Sequence, residues 1–405
     1  MLKFFRQDGS NEDKDDTKKR ASVLERDVSS PPERQEHGTD DLSESAQRSR
    51  VLFGLIVGSM VALWGRRHRP NPNMEKRPAS NGSGRERQSR CSALVSAAPV
   101  IRMGLVADVQ YADKDDKEVS GSTRHYRNAI HKLARIVEAF DSEAGSLDLV
   151  LQLGDLVDGQ EQLDGSRADL ELVLGQFARL PVPLYHVLGN HCLKCGRDWL
   201  LKRLRTRAFY DMPLRARMSS GPSATTTPSE TPWRLVVLDC LDISLHWDDP
   251  EDPRRLQAKR YLKEHASTAP NAVPYNGGIG ETQLVWLENV LAEARTRQEF
   301  VIVAGHVPIA PQSAAPSLLL WNYEEVMALF RVYRDVVKLV LAGHEHDGGY
   351  AQVDGIHYIT LHGVVNCTDG DDNAYAILEL VGHSFARLHG FGRVESRLLL
   401  FDASP

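Results

Sequence analysis

Residues 147–158 read LDLVLQLGDLVD, and this stretch decides the fold. Its apolar part, residues 147–153, has the length and composition of a buried β-strand. Gly154-Asp155 follows at once, and Asp158 comes three residues later. In open α/β sheets, ligands bind beyond the carboxyl ends of the strands. The stretch therefore predicts a strand that delivers two carboxylates to a binding site.

Four more apolar runs end at polar residues that can bind a metal or a substrate. The runs are residues 102–107, 183–188, 299–303 and 336–341, and the side chains that follow them are Asp108 and Gln110, Asn190 and His191, His306, and His344 and His346. Because strand ends deliver ligands to one edge of a sheet, we expect all these groups to converge.

The residue types are those of a site for two divalent metal ions. Two neighbouring ions need a bridging carboxylate, and Asp155 is the natural bridge. The other expected metal ligands are Asp108, Gln110, Asn190, His306, His344 and His346. The amide oxygen of Gln110 is harder than an imidazole nitrogen, which favours manganese, with magnesium as the alternative, over zinc or iron.

His191 and Asp158 are the candidate catalytic residues. Strand-like alternation after Asn190 would turn His191 toward the substrate, where an imidazole can bind a phosphate or protonate a leaving oxygen. Asp158, three residues after the bridging carboxylate, could orient that ring.

The set Asp…GDxxD…GNH…GH…GHxH resembles that of the calcineurin-like metallophosphoesterases. Most of that superfamily has histidine where this chain has Gln110. The string GLVADVQYAD, residues 104–113, is similar to the manganese-dependent ADP-ribose/CDP-alcohol diphosphatases, as are Trp321-Asn322-Tyr323 and GHEHDGGY, residues 343–350. The resemblance covers roughly residues 100–400.

The resemblance implies an α/β fold, a four-layer αββα sandwich with two mixed sheets. It implies hydrolysis of the diphosphate of ADP-ribose, CDP-choline, CDP-glycerol and related nucleotides to a nucleoside monophosphate and a phosphorylated product. One metal would take Asp108, Gln110, Asp155 and His346, and the other would take Asp155, Asn190, His306 and His344.

Two clusters could bind the nucleotide. Arg124, Tyr126 and Arg127 could contact the second phosphate or the ribose, since guanidinium groups grip phosphate. The alternative for them is a solvated helix face. Trp321, Asn322 and Tyr323 could stack on a base and read its edge, or they could form an aromatic cap that packs on the domain.

Residues 1–98 differ in composition from the rest of the chain. Residues 8–50 have few large apolar side chains, which predicts a disordered extension. Residues 51–65 are apolar but shorter than the ~20 residues of a full membrane span. We expect a membrane anchor there, with a targeting segment or a docking helix as alternatives. Residues 99–405 would form the catalytic domain.

The net charge and the cysteine content indicate which partners and which cell compartment to expect. Residues 1–99 carry a net charge of +4, so the net charge of −6 for the whole chain leaves −10 for the remainder. An acidic domain argues against nucleic acid as a partner. Five sparse cysteines form no disulfide framework, which favours the cytosol. The pair Cys192 and Cys195 is expected in a loop near the site, with a redox or zinc role as the alternative. We expect a monomer that acts on a small nucleotide.

The remaining pattern predicts alternating helices and strands. Helices are expected over Ser122–Phe140, Arg167–Arg179, Arg197–Arg205, Arg254–His265, Glu281–Arg295 and Tyr323–Arg334. Residues 213–232 are typical of a flexible loop, residues 246–280 of a lid-like insert, and the C-terminal part of short antiparallel strands added to a sheet.

Two other functions are compatible with the same sequence. A cyclic nucleotide phosphodiesterase or a phosphomonoesterase could use the same metal site with different loops. A non-catalytic binding module is the third hypothesis, but every expected ligand position is filled.

Overall fold

Two six-stranded sheets form the centre of the computed structural model, which describes residues 100–143, 147–214 and 233–401. The expected extension 1–98 with its segment 51–65, and residues 215–232 of the expected loop, lie outside the described residues. None of the described helices is long and apolar enough to span a membrane.

The elements alternate along the chain as the sequence pattern predicts. The strands are β1 Val100–Val106, β2 Lys117–Val119, β3 Ser122–Arg124, β4 Leu149–Gln152, β5 Leu184–His186, β6 Tyr210–Leu214, β7 Trp233–Val237, β8 Phe300–Ala304, β9 Val337–Ala342, β10 Gly349–Val353, β11 Ile356–Thr360, β12 Ala374–Val381, β13 Phe385–Gly392 and β14 Arg397–Leu400. The helices are α1 Ala129–Ser142, α2 Leu163–Phe177, α3 Arg197–Leu204, α4 Pro253–His265, α5 Glu281–Thr296 and α6 Tyr323–Val332.

Both sheets are mixed. The first has the order β14-β13-β12-β1-β4-β5 and the second β10-β11-β9-β8-β7-β6. Strands β1, β4 and β5 are parallel, as are β7, β8, β9 and β11, whereas the other strands of the two sheets pair antiparallel. The parallel strands therefore bring their carboxyl ends to a common edge in each sheet.

Alternation along each strand assigns its two faces. In β8, Phe300 and Ile302 pack in the cluster between the two sheets, whereas Val301 and Val303 pack with the helices. In β1, Gly104 faces α1, where a Cβ would lie 2.9 Å from the ring of Phe140. This period of two, applied to both sheets, gives four layers: helices, sheet, sheet, helices.

One helix begins later than its pattern predicts. The expected helix over Ser122–Phe140 starts only at Ala129, because Ser122–Arg124 pairs with Lys117–Val119. Ser120 and Gly121 connect the two strands with φ values of 53° and 82°. Two consecutive positive φ angles are typical of the tight turn that closes a hairpin. Strands β2, β3, β6, β7 and β14 were not predicted, and β6 includes residues 213–214 of the expected loop.

Candidate metal centre

The seven expected metal ligands meet where the two sheets present the carboxyl ends of their parallel strands. Asp108 and Gln110 follow β1, Asp155 follows β4, Asn190 follows β5, His306 follows β8, and His344 and His346 follow β9. All of these side chains except His344 and His346 are buried, and Asp108, Asp155 and His306 have no exposed surface. The topology thus converts five separate motifs into one buried polar cluster.

His306 lies at the centre of one half of the cluster. Its Nε2 is 3.2 Å from Oδ2 of Asp155, 3.2 Å from Oδ1 of Asn190 and 3.3 Å from Nδ1 of His344. Ligand atoms of Asp155, His306 and His344 all lie within 4.8 Å of one another. One cation could therefore contact all three groups.

Asp155 also belongs to the other half. Its Oδ2 lies 3.1 Å from Nε2 of Gln110, and that nitrogen is 3.2 Å from Nε2 of His346. Nε2 of His346 is in turn 3.4 Å from Oδ1 of Asp108. The oxygen of Gln110 accepts a hydrogen bond from Arg124 at 3.2 Å, so a half-turn of the amide would exchange the atom facing the cluster. Asp155 is the carboxylate that both halves share.

Four of the seven side chains sit on left-handed backbone. The φ values are 52° at Asp108, 41° at Gln110, 53° at Asp155 and 69° at His344. For residues other than glycine this region is disfavoured by roughly 1–2 kcal/mol. Such strain concentrates at functional sites, where the surrounding structure enforces it. Here it aims the side chains inward directly after their strands.

The glycines of the motifs are required by close approach between motifs. A Cβ at Gly154 would lie 2.3 Å from Nδ1 of His306, and one at Gly343 would lie 2.5 Å from Oδ2 of Asp108. Real Cβ contacts are essentially never shorter than 3.0 Å. Each glycine therefore leaves room for a ligand from another strand.

The outward nitrogen of each of the three imidazoles has a neutral oxygen partner. Nδ1 of His306 lies 2.8 Å from the carbonyl oxygen of Leu153, and Nε2 of His344 lies 2.8 Å from Oδ1 of Asn276. Nδ1 of His346 contacts Oδ1 of Asn366. Such partners fix which ring nitrogen carries the proton and orient the ring. Sequence reasoning missed Asn276 and Asn366, and only the Asn-Gly-Gly at 276–278 offered a local signal.

The charges of the cluster suit divalent cations. Burial acts to raise the pKa of Asp155, but His306 and His191 hold it far below its ordinary range. Burial acts to lower the pKa of His306, but Asp155 outweighs it and raises the value. In the described part of the chain, buried Oδ1 of Asp108 has no hydrogen-bond partner. Two carboxylates, two amides and three imidazoles, with one buried carboxylate oxygen left without a hydrogen bond, fit a pair of metal ions.

His191 lies beside the cluster and is held by Asp158. Its Nδ1 is 3.0 Å from both the carbonyl oxygen and Oδ1 of Asp158, and Lys114 forms an ion pair with the same carboxylate. The backbone at His191 is helical, with φ −71° and ψ −37°, so the expected strand-like alternation was wrong. Burial acts to lower the pKa of His191, but Asp155 and Asp158 raise it above its ordinary value. Lys114 was not anticipated.

The first substrate cluster divides into inner and outer members. Nη1 of Arg124 lies 3.2 Å from Oε1 of Gln110 and 3.7 Å from Oδ1 of Asp158, at the centre itself. Tyr126 is buried, and the ammonium of Lys114 lies over its ring, 4.1 Å from the ring centroid. Arg127 is half exposed and pairs with Asp113 and Asp115 at 2.6 Å. None of the three lies on a helix, because β3 ends at Arg124 and α1 begins only at Ala129.

The second substrate cluster anchors neighbouring loops. Trp321 is buried and stacks on Tyr261 at 4.7 Å, and its amide donates to Gly277 at 2.8 Å. The side chain of Asn322 exchanges hydrogen bonds with the backbone of Ile279 at 3.0 and 2.9 Å. Tyr323 begins α6 and is partly exposed. Contact of any of the three with a nucleotide stays a prediction.

Cys192 and Cys195 bound a short 3₁₀ turn, Cys192–Cys195, directly after His191. Both are buried and free, and burial raises the pKa of each thiol above its ordinary value. Sγ of Cys192 accepts from the amide of Leu156 at 3.0 Å, which ties this turn to the segment after β4.

The chain is similar to proteins of known family. The Calcineurin-like phosphoesterase family profile matches residues 101–348. The chain is 38% identical over 292 residues to the manganese-dependent ADP-ribose/CDP-alcohol diphosphatase of Arabidopsis thaliana, covering 67% of this chain and 88% of that protein. It is 33% identical over 329 residues to the mouse protein of the same name, covering 75% and 94%. A crystal structure of a dimetal phosphatase from Danio rerio superposes with a TM-score of 0.66 at 30% identity, covering 75% of this chain and 100% of that one. The chain belongs to the calcineurin-like phosphoesterase family.

Proposed function

We propose that this chain is a dimetal hydrolase that cleaves the diphosphate of ADP-ribose and of CDP-alcohols such as CDP-choline and CDP-glycerol. The products are a nucleoside monophosphate and a phosphorylated partner. The observation that carries the proposal is the convergence of seven ligand-type side chains from five strand ends around the shared carboxylate of Asp155. Relatives that match most of the chain bear the name of this activity.

Two groups of side chains would hold the ions. One comprises Asp108, Gln110, Asp155 and His346, and the other comprises Asp155, Asn190, His306 and His344. When bound, divalent ions neutralise phosphate charge and lower the pKa of a water molecule. The amide oxygen of Gln110 favours manganese, in keeping with the manganese-dependent relatives.

His191 is the proposed proton donor to the leaving oxygen. Its Nδ1–H donates to the backbone carbonyl oxygen of Asp158, with the carboxylate of the same residue 3.0 Å away, so Nε2 is the nitrogen left for the substrate. The raised pKa keeps the ring protonated closer to neutral pH, which a general acid needs. Asp158, with a pKa lowered to about 2, stays ionised and holds the ring in place.

Arg124 is the proposed phosphate ligand outside the metal groups. Its side chain is only 19% exposed, and its guanidinium lies between Gln110 and Asp158. A bidentate contact from this position would grip the second phosphate. Tyr126 and Arg127, and the loop of Trp321 to Tyr323, are proposed to line the nucleotide site further out.

The chain before residue 99 is proposed to localise the enzyme, with residues 51–65 as a membrane tether and the catalytic domain in the cytosol as a monomer. Deletion of residues 1–98 should then leave turnover unchanged and release the protein from membranes. Loss of turnover on deletion would contradict this division.

The deciding experiment is turnover of ADP-ribose, CDP-choline, cAMP and nitrophenyl phosphate with Mn²⁺ or Mg²⁺. Release of AMP or CMP from the first two, abolished in Asp155→Asn, is the expected result. Activity confined to cAMP would indicate a cyclic nucleotide phosphodiesterase, and activity confined to nitrophenyl phosphate a phosphomonoesterase. Hydrolysis of none of the four would contradict the proposal.

A further inference from the structure

Asn276 lies in the insert 246–280, outside the five strand-end motifs, yet it contacts a side chain of the metal centre. It is fully buried, and its Oδ1 lies 2.8 Å from Nε2 of His344. We infer that Asn276 is a positioning residue: it keeps the proton of His344 on Nε2, so that Nδ1 is the nitrogen that faces the metal. The inference rests on the proposed function in that it takes His344 as a metal ligand.

The orientation of the Asn276 amide is fixed by its nitrogen. Nδ2 lies 3.1 Å from the carbonyl oxygen of Asn271, 2.9 Å from that of Ser317 and 3.0 Å from that of Leu319. Carbonyl oxygens only accept hydrogen bonds, so the amide nitrogen must face them. Oδ1 is therefore the atom that faces His344.

This orientation decides the tautomer of His344. An amide oxygen is an acceptor only, and a neutral imidazole has one N–H and one lone pair. The nitrogen opposite Oδ1 of Asn276 must therefore carry the proton. The lone pair is left on Nδ1, which lies 3.3 Å from Nε2 of His306, inside the cluster that Asp155 completes.

His344 is thus turned the opposite way from the other two imidazoles. His306 and His346 place Nε2 in the cluster and bind a neutral oxygen through Nδ1. For His344 the acceptor has to stand on the Nε2 side, which none of the five strand-end motifs supplies. The insert supplies it through Asn276 and is therefore a structural part of the metal centre.

Asn271 offers a matched control within the same insert. It is buried, and its Nδ2 donates to the carbonyl oxygens of Leu320 and Trp321 at 2.8 and 3.2 Å. Asn271→Ala thus removes an amide that anchors the same loop and leaves the contact to His344 in place. Asn276→Ala removes both the loop anchor and the imidazole acceptor.

Two measurements on the full-length chain test the inference. Nitrogen NMR of the histidine-labelled, metal-free protein reports which ring nitrogen of His344 carries the proton, with its signal assigned by its loss in His344→Gln. Titration with Mn²⁺, followed by electron paramagnetic resonance of the free ion, reports affinity. We expect the proton on Nε2 in the wild type and in Asn271→Ala. We expect Asn276→Ala to lose that preference and to bind the weaker Mn²⁺ ion roughly 10–100-fold less tightly.

Three results would overturn the inference: a proton on Nδ1 in the wild type, an unchanged Mn²⁺ affinity in Asn276→Ala, or an equal loss in Asn271→Ala. The wild-type spectrum, assigned with His344→Gln, tests the tautomer without Asn276→Ala, so the inference can still be refuted if Asn276→Ala folds poorly. Neither readout uses a nucleotide. If the protein cleaves none of the proposed substrates but Asn276→Ala still weakens Mn²⁺ binding, the proposed substrates are refuted and the role of Asn276 is kept.

Discussion

Gly189→Ala tests whether the glycines of the motifs make room for the metal ligands. Gly189 lies between β5 and Asn190, and a Cβ there would be 2.1 Å from Oδ1 and 2.3 Å from the backbone nitrogen of Asp155. To reach 3.0 Å, the shortest separation of real Cβ contacts, the two groups must separate by about 0.9 Å. Asp155 is fully buried; its Oδ1 accepts from the amide of His191 at 2.8 Å and its carbonyl oxygen from the amide of Gln110 at 2.8 Å, so neither group can move alone.

The size of the effect follows from that displacement. Overpacking a close-packed interior costs typically about 1–3 kcal/mol of stability. A misplacement of ~1 Å at a catalytic constellation can cost about 10²-fold in rate. Because Asp155 is the shared carboxylate, its shift would disturb both proposed metal sites. We expect kcat/KM for ADP-ribose with Mn²⁺ to fall by about 10²-fold or more, with a lower Tm.

Gly175→Ala is the matched control. Gly175 lies inside α2, and a Cβ there would meet nothing within 4 Å. Alanine is favoured over glycine in a helix by about 1 kcal/mol, so Tm should hold or rise and turnover should not change. Steady-state kinetics and thermal melting of both variants decide the matter. If Gly189→Ala keeps both turnover and Tm within the range of Gly175→Ala, the steric reasoning is refuted.

Three further predictions concern other parts of the centre. Asp158→Asn removes the carboxylate 3.0 Å from Nδ1 of His191 and should lower the raised pKa of that ring. The alkaline limb of the pH profile of kcat/KM should then move to lower pH. A limb that does not move would contradict the role of His191 as proton donor. Gln110→His should raise activity with Zn²⁺ or Fe²⁺ relative to Mn²⁺, and the same profile across Mn²⁺, Mg²⁺, Zn²⁺ and Fe²⁺ would argue against the hardness argument. Arg124→Ala should lower kcat/KM by roughly tenfold or more, since a hydrogen bond to a charged group is worth about 1.5–3 kcal/mol. As the control, Arg127→Ala should change kcat/KM by less than about threefold. Equal effects of the two substitutions would contradict the distinction between the inner and the outer arginine.

The five strands that carry the ligands were predictable because their signal is local. The apolar run 336–341 coincides with β9 Val337–Ala342 to within one residue, and 299–303 with β8 Phe300–Ala304. The helix expected from Ser122 failed because Ser120 and Gly121 form a turn that pairs Ser122–Arg124 with the preceding segment. The spacing of apolar residues cannot reveal such a hairpin, because its second strand, Ser122–Arg124, consists of polar residues.

The set of side chains expected to bind metal could also be proposed from the sequence. Carboxylate, amide and imidazole groups at strand ends are few, and their order along the chain identifies the family. Lys114, by contrast, pairs with Asp158 across a loop, and nothing in the spacing distinguishes it from the other lysines. Its position depends on the path of the loop after β1, which places its ammonium beside Asp158 and the carbonyl oxygen of Gly159 and which only the structure gives.

The partners of the imidazoles were hidden for a different reason. A metal ion restricts its ligands to a few residue types, and that restriction leaves a readable pattern. The outward nitrogen of an imidazole can donate to any oxygen that accepts a hydrogen bond, from a side chain or from the backbone. His306 takes that oxygen from the backbone of Leu153, where any side chain would serve, and His346 takes it from Asn366. Asn276 can be recognised only once its nitrogen is seen to be held by three carbonyl oxygens. The residues that orient the proposed ligands can therefore be identified only from the fold, whereas the proposed ligands can be recognised in the sequence by their residue types.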